Sequence, residues 1–121
     1  MQTTVLIVDD YGAMRLLVRR VLAQRWPEMR FVESGTAEDA LASVERETPD
    51  AVIMDVELPG MNGLDATRRI LAQHPGCAVI VHSACEETWC ACEARLAGAR
   101  GFVRKGDCDG LVAAAALAVA A

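Results

Sequence analysis

Apolar residues along the chain fall into two alternating kinds of segment. Short Val- and Ile-rich runs, TVLIV at 4–8, RFVE at 30–33, AVIM at 51–54, AVIVH at 78–82 and GFV at 101–103, have the length and composition of strands. Between them the spacing changes to that of helices. In MRLLVRRVLAQRW, Met14, Leu17, Val18, Val21 and Leu22 make one apolar stripe beside Arg15, Arg19 and Arg20. A second helix is predicted over 37–46, opened by Thr36 and stopped before Pro49, and a third over 63–73, ended by His74, Pro75 and Gly76. The fourth and fifth are predicted over 86–97 and 107–120. The last is Ala-rich, with Leu111, Val112, Leu117 and Val119 as its larger apolar residues. Ala is the strongest helix former, so this segment reads as a packed terminal helix.

Five near-continuous apolar strands alternating with five helices predict an α/β fold, a parallel sheet covered by helices on both faces. At 121 residues and 53% hydrophobic, the chain suits one domain with one sheet, spanning 1–121, and shows no linker, repeat or low-complexity tract.

In open parallel sheets, ligands bind beyond the carboxyl ends of the strands. Applied here, that rule gathers five reactive side chains on one edge: Asp9 and Asp10 after the first strand, Asp55 after the third, Ser83 after the fourth and Lys105 after the fifth. Taken singly, each has an ordinary explanation as a turn residue, a cap or a solvated side chain. Taken together they do not, because two carboxylates 4 Å apart repel by ~4 kcal/mol at an effective dielectric near 20. Lys105 and a divalent ion would offset three such charges. Carboxylate oxygens without His or Cys at ligand spacing select Mg²⁺ or Mn²⁺ over zinc. With the acid pair as metal seat, Asp55 becomes a nucleophile, and Ser83 and Lys105 become binders of non-bridging oxygens. That set describes phosphoryl transfer to a carboxylate.

The formal charge of −5, with scattered basic residues, speaks against direct nucleic-acid or anionic-membrane binding. No basic leader with an apolar core opens the sequence, and its longest apolar run, 111–121, is shorter than the ~20 residues of a membrane span, so a cytoplasmic location is expected. Five cysteines, Cys77, Cys85, Cys90, Cys92 and Cys108, form no regular framework and are expected to be reduced. Cys90 and Cys92, two apart on a helix, point to different faces and lack a further ligand pair, so metal or redox function is not assigned to them. His82, adjacent to Ser83 in a strand, points to the opposite face, which removes a hydrolase triad.

Four segments, VLIVDD followed by Arg15, MDVELPGMNGLD around Asp55, HSA at 82–84 and GARGFVRK at 98–105, together resemble the receiver domain of bacterial two-component response regulators over essentially the whole chain. The version without Pro after Lys105 is most like receivers of LuxR/NarL-type regulators; Gly106 stands there instead. The resemblance implies a doubly wound, flavodoxin-like (βα)5 sheet of order 2-1-3-4-5. It implies phosphorylation of Asp55 by a sensor histidine kinase or phosphotransfer protein, a phosphorelay step that regulates an output. It further implies Mg²⁺ ligated by Asp10, Asp55 and the main-chain carbonyl of Glu57, with Asp9 acting through water. Ser83 and Phe102 would be switch residues, and Glu57 and Cys85 would tune dephosphorylation. The domain would catalyse only its own phosphorylation and dephosphorylation. The face near Phe102 would serve a homodimer on activation, or an output domain fused beyond this chain.

Three other functions compete. A haloacid-dehalogenase-type phosphohydrolase shares the aspartyl phosphate but needs D-x-D, and Glu57 follows Asp55 by two. A flavodoxin-like FMN binder needs a hydroxyl-rich phosphate loop where DDYGAM stands. A receiver-like interaction module that takes no phosphate needs none of the five residues.

Overall fold

A computed structural model describes residues 2–85 and 87–120. Its strands are β1 (Thr4–Val8), β2 (Arg30–Ser34), β3 (Ala51–Met54), β4 (Ala78–Ser83) and β5 (Gly101–Arg104). Its helices are α1 (Gly12–Arg25), α2 (Ala37–Glu47), α3 (Gly63–Gln73), α4 (Thr88–Leu96) and α5 (Cys108–Val119). All strand pairs are parallel, in the order β2-β1-β3-β4-β5. The expected doubly wound topology is therefore the observed one, and its reversal point lies between β1 and β3.

Strand alternation divides the core in two. Val5, Ile7, Ile53 and Ile80 face α1 and α5, packing with Val18, Leu22, Leu111 and Ala115. Leu6, Val8, Val52, Met54 and Val79 face the other way, against Ala40, Val44, Ala66 and Ile70 of α2 and α3. Because both faces are covered, β1, β3 and β4 are buried at every position, which is why their sequences are mostly apolar and carry no polar alternation. Burying an Ile or Leu here contributes ~1.5–3 kcal/mol before entropy is counted.

Caps fix where the helices begin. The Thr36 hydroxyl accepts from Asp39 N–H at 3.0 Å, Asn62 Oδ1 from Leu64 and Asp65 at 2.9 and 3.0 Å, and Asp107 Oδ1 from Gly110 at 2.9 Å. α2 ends at Thr48, which takes the left-handed φ of 42° just before Pro49.

Two expectations about helix faces need correction. Leu17 and Leu117 are exposed, whereas Val18, Leu22, Leu111 and Ala118 are buried. In α1 the inward stripe runs Met14, Val18, Val21, Leu22, and Leu17 lies beyond its edge. In α5 the small residues Ala115 and Ala118 form the inward face, so that the helix sits close to the sheet. The predicted α4 also starts too early: it begins at Thr88, and Glu86 lies outside the described residues.

Candidate functional site

The same alternation that builds the core positions the charged groups. Val5 and Ile7, Ile53, and Val103 point toward the α1/α5 side, so Asp9, Asp55 and Lys105, each an even number of residues further on, converge beyond that side of the carboxyl edge. Backbone pairing continues past the strands to hold them. Asp9 N–H donates to Ser34 O at 3.1 Å, Asp55 N–H to Val8 O at 2.9 Å and Lys105 N–H to Ser83 O at 2.8 Å.

The Lys105 ammonium lies 2.9 Å from Asp9 Oδ2 and 3.2 Å from Asp55 Oδ1. Carboxylate oxygens of Asp9, Asp10 and Asp55 all lie within 4.8 Å of one another, with Asp9 and Asp55 buried and Asp10 exposed. One ammonium thus pairs with two acids of a cluster of three. Asp9 Oδ1 accepts Tyr11 N–H at 3.0 Å, but its buried Oδ2 has no partner beyond the ammonium among the described residues. Arg15 does not neutralise the cluster: its guanidinium donates to the Asp9 carbonyl at 2.6 Å and to Glu33 at 3.0 Å.

Burial raises the Asp55 pKa, and the neighbouring Asp9 charge raises it further, against the opposing pull of Lys105 and of the Glu57 main chain. For Lys105, burial acts to lower the pKa, yet the hydrogen bond to Asp9 and the charges of both acids outweigh it and leave the ammonium more firmly protonated. Burial, reinforced by the Lys105 charge, pushes His82 down to about 4, so it sits neutral beside the cluster. Excess negative charge, hard oxygen donors and an unfilled buried acceptor fit a divalent cation of the Mg²⁺ or Mn²⁺ kind.

Ser83 is buried at the end of β4, and its Oγ accepts Cys85 N–H at 3.1 Å. Phe102 is half-buried in β5, paired with Val81. A cleft of about 620 Å³, lined by Glu87, Thr88, Phe102 and Lys105 among others, opens between β5 and the start of α4. Glu57 is exposed in the loop after β3. Gly106, where a Pro is usual, has a φ of 97°, a conformation closed to Pro and natural to Gly.

Two features were not read from the sequence. Gly63 N–H donates to Val56 O at 2.8 Å, and a Cβ on Gly63 would run into the Asp55 carbonyl. The first turn of α3 therefore seats directly on the backbone of the central acid. A Gly immediately after the capping Asn62 was the available signal. The other is covalent: Cys85 and Cys90 are joined as a disulfide, against the expectation of five reduced thiols. The expectation treated the cysteines by count and by helix face. The connection out of β4 instead folds Cys85 back over the first turn of α4. Cys77, Cys92 and Cys108 are free.

The model of the response regulator receiver domain matches residues 5–116. The chain is 37% identical over 102 residues to the response regulator GacA of Pseudomonas aeruginosa, covering 84% of this chain and 48% of that one. It is 35% identical over 101 residues to the chemotaxis protein CheY of Thermotoga maritima, covering 84% of this chain and 83% of the relative. A crystal structure of a LuxR-family two-component response regulator from Aurantimonas sp. superposes with a TM-score of 0.90 at 33% identity, over 99% of this chain and 86% of that one. The chain spans about half the length of the GacA relatives it matches.

Proposed function

The chain belongs to the response regulator receiver domain family of two-component signalling, and on that premise we propose that Asp55 is its phosphoacceptor, charged by a sensor histidine kinase or a phosphotransfer protein. The observation that carries this reading is the sharing of one ammonium, Lys105, between Asp9 and Asp55 while Asp10 stands beside them. Such a cluster is short of positive charge until a cation arrives, and it has a nucleophile at its centre.

In the proposed reaction an Asp55 oxygen attacks phosphorus in line with the bond to the donor imidazole. The P–N bond breaks, its electron pair leaves on the imidazole, and Asp55 becomes a mixed anhydride. Lys105 exchanges its Asp55 contact for a phosphoryl oxygen, and the Ser83 hydroxyl donates to another. Asp10, Asp55 and the Glu57 main-chain carbonyl would hold Mg²⁺ or Mn²⁺, with Asp9 acting through water. When bound, the ion supplies positive charge against the developing charge on the phosphoryl oxygens. Asp9 keeps Lys105 protonated and aimed. Glu57 and Cys85, two residues beyond Asp55 and Ser83, flank the route of hydrolytic water and tune the lifetime of the anhydride.

Movement of Ser83 toward the phosphoryl group would free space for Phe102 to turn inward from the cleft, changing the face made by α4, β5 and α5. That face would then serve a second copy of the chain or an output domain beyond it. Residues 1–121 act as a single domain whose chemistry is confined to its own Asp55, in the cytoplasm, without direct contact to nucleic acid. No helix among the described residues is long and apolar enough to cross a membrane.

The test is intact mass after incubation with acetyl phosphate, with and without Mg²⁺. The wild type gains one alkali-labile phosphoryl group only with Mg²⁺, and Asp55→Asn gains none. Equal gain in Asp55→Asn would remove Asp55 from the role. No gain in either folded protein would favour an interaction module that takes no phosphate.

A further inference from the structure

The disulfide lies one hydrogen bond from the Ser83 hydroxyl. Cys85 and Cys90 have Cα atoms 6.5 Å apart, inside the range of roughly 4.4–6.8 Å that an S–S bond spans without moving the backbone. Cys85 is half-buried and open to small oxidants, while Cys90 is buried in the first turn of α4, within reach of the Cys85 sulfur. The other thiols offer no such pair: burial pushes buried Cys77 up to about 11, and Cys92 and Cys108 stand exposed and unjoined.

The surroundings give the bond mechanical leverage. The N-cap of α4, Glu87, makes no side-chain cap hydrogen bond, so the Cys85–Cys90 link is a principal tie between the β4–α4 connection and the helix start. Cys85 N–H donates to Ser83 Oγ at 3.1 Å, and the Ser83 carbonyl accepts Lys105 N–H at 2.8 Å. Fixing Cys85 therefore fixes the hydroxyl, which is bonded toward the loop here and has to turn toward Asp55 to receive a phosphoryl oxygen.

We propose that Cys85 and Cys90 form a reversible redox modification site whose disulfide restrains Ser83 and slows phosphoryl transfer to Asp55. The proposal rests on the phosphoacceptor reading above. In a reducing cytoplasm a disulfide is characteristically transient, which suits a sensor better than a structural staple. Oxidation by hydrogen peroxide balances in two steps. The Cys85 thiolate attacks one peroxide oxygen, the O–O bond breaks, and a sulfenic acid and hydroxide form. The Cys90 thiol then attacks the Cys85 sulfur, the S–O bond breaks, and the disulfide forms with release of water. A dithiol reverses this through a mixed disulfide, giving two electrons and two protons to the pair and itself becoming a disulfide.

The experiment compares peroxide-oxidised and dithiothreitol-reduced protein, first by peptide mapping and then by the initial rate of acetyl-phosphate labelling with Mg²⁺. Oxidation removes two hydrogens and links the peptides bearing Cys85 and Cys90. The oxidised wild type labels about tenfold more slowly, a barrier change within reach of one misplaced hydrogen bond. Cys90→Ala, and independently Cys90→Ser, labels at the reduced rate under both conditions. A linkage that never forms between these two residues, or equal labelling of both wild-type forms, overturns the redox site and leaves the phosphoacceptor reading standing. Absence of labelling from both forms overturns the phosphoacceptor reading, and the coupling falls with it.

Discussion

The two edges of the sheet are made of similar residues arranged to opposite ends. At the amino edge charges are paired locally: Asp50 Oδ2 accepts Thr4 N–H at 2.9 Å, and Arg30 meets Glu47 at 2.8 Å. That edge has its own hollow of about 540 Å³, lined by Asp50, His74, Cys77 and Arg100 among others, yet among the described residues no acidic cluster forms there. At the carboxyl edge, three carboxylates crowd together and two of them share Lys105, and the pKa of Asp55 is raised chiefly by burial and then by Asp9. A hollow alone does not make a site. The carboxyl edge is distinguished by charge that the folded chain leaves unbalanced, which is the condition under which an incoming cation and phosphoryl group gain most.

The contrast can be broken hardest at Gly63. An Ala there forces its Cβ against the Asp55 carbonyl and the start of Val56, with only backbone available to yield. Gly63→Ala is expected to destabilise the protein by about 3 kcal/mol, the upper range for overpacking, and to lower acetyl-phosphate labelling with it. Urea unfolding at fixed pH checks the first effect. A loss no larger than that of an exposed helix position such as Ala113→Ser would show that α3 does not brace Asp55.

Acid acts next. His82 is buried and neutral, with its pKa pushed to about 4 from an ordinary 6.5. The unfolded chain therefore binds a proton that the folded chain refuses between those values. Stability from this group is full above about 6.5, falls as pH drops through the window and falls no further below about 4. The loss is on the order of 3 kcal/mol across that window at ~1.4 kcal/mol per pKa unit. In urea midpoints measured at pH values across that window, His82→Gln should lose this component of the slope; an unchanged slope would place the acid sensitivity in the carboxylate cluster alone.

Lys105→Met should cost about 1–3 kcal/mol by stranding two buried carboxylates, and Mg²⁺ should recover part of it. The variant should still bind Mg²⁺ but fail to show the phosphorylation-dependent change at Phe102, readable by fluorine NMR of a fluorinated Phe. At the amino edge, Asp50→Asn should lose only ~1 kcal/mol, because the Asn oxygen still accepts Thr4 N–H and only the charge on the acceptor is lost, with no response to Mg²⁺.

The parallel sheet was legible because burial on both faces writes itself as unbroken apolar strands, and the site edge because ligands bind beyond the carboxyl ends of such strands, whereas the strand order came only from the resemblance to receiver domains. Helix faces were less so. In α5, alanines make the inward stripe, and hydrophobicity cannot distinguish Ala115, which is buried, from Ala113, which is exposed. The Cys85–Cys90 bond was invisible to spacing rules because it depends on how Cys85, beyond β4, is placed against the first turn of α4, which no periodicity encodes. The seat of Gly63 on Asp55 is likewise a tertiary approach between residues eight apart, marked in the sequence only by a glycine.

The most direct measurement is urea unfolding of Asp55→Asn against wild type, without divalent ions and again with millimolar Mg²⁺. Since the folded chain disfavours charge on Asp55, the variant should be more stable than wild type without Mg²⁺, by ~1 kcal/mol on the scale of one partly screened like-charge pair. Added Mg²⁺ should stabilise wild type and close or reverse that gap. A variant less stable than wild type in the absence of divalent ions, with equal Mg²⁺ responses, would contradict the claim that this edge holds unbalanced charge for a cation and a phosphoryl group.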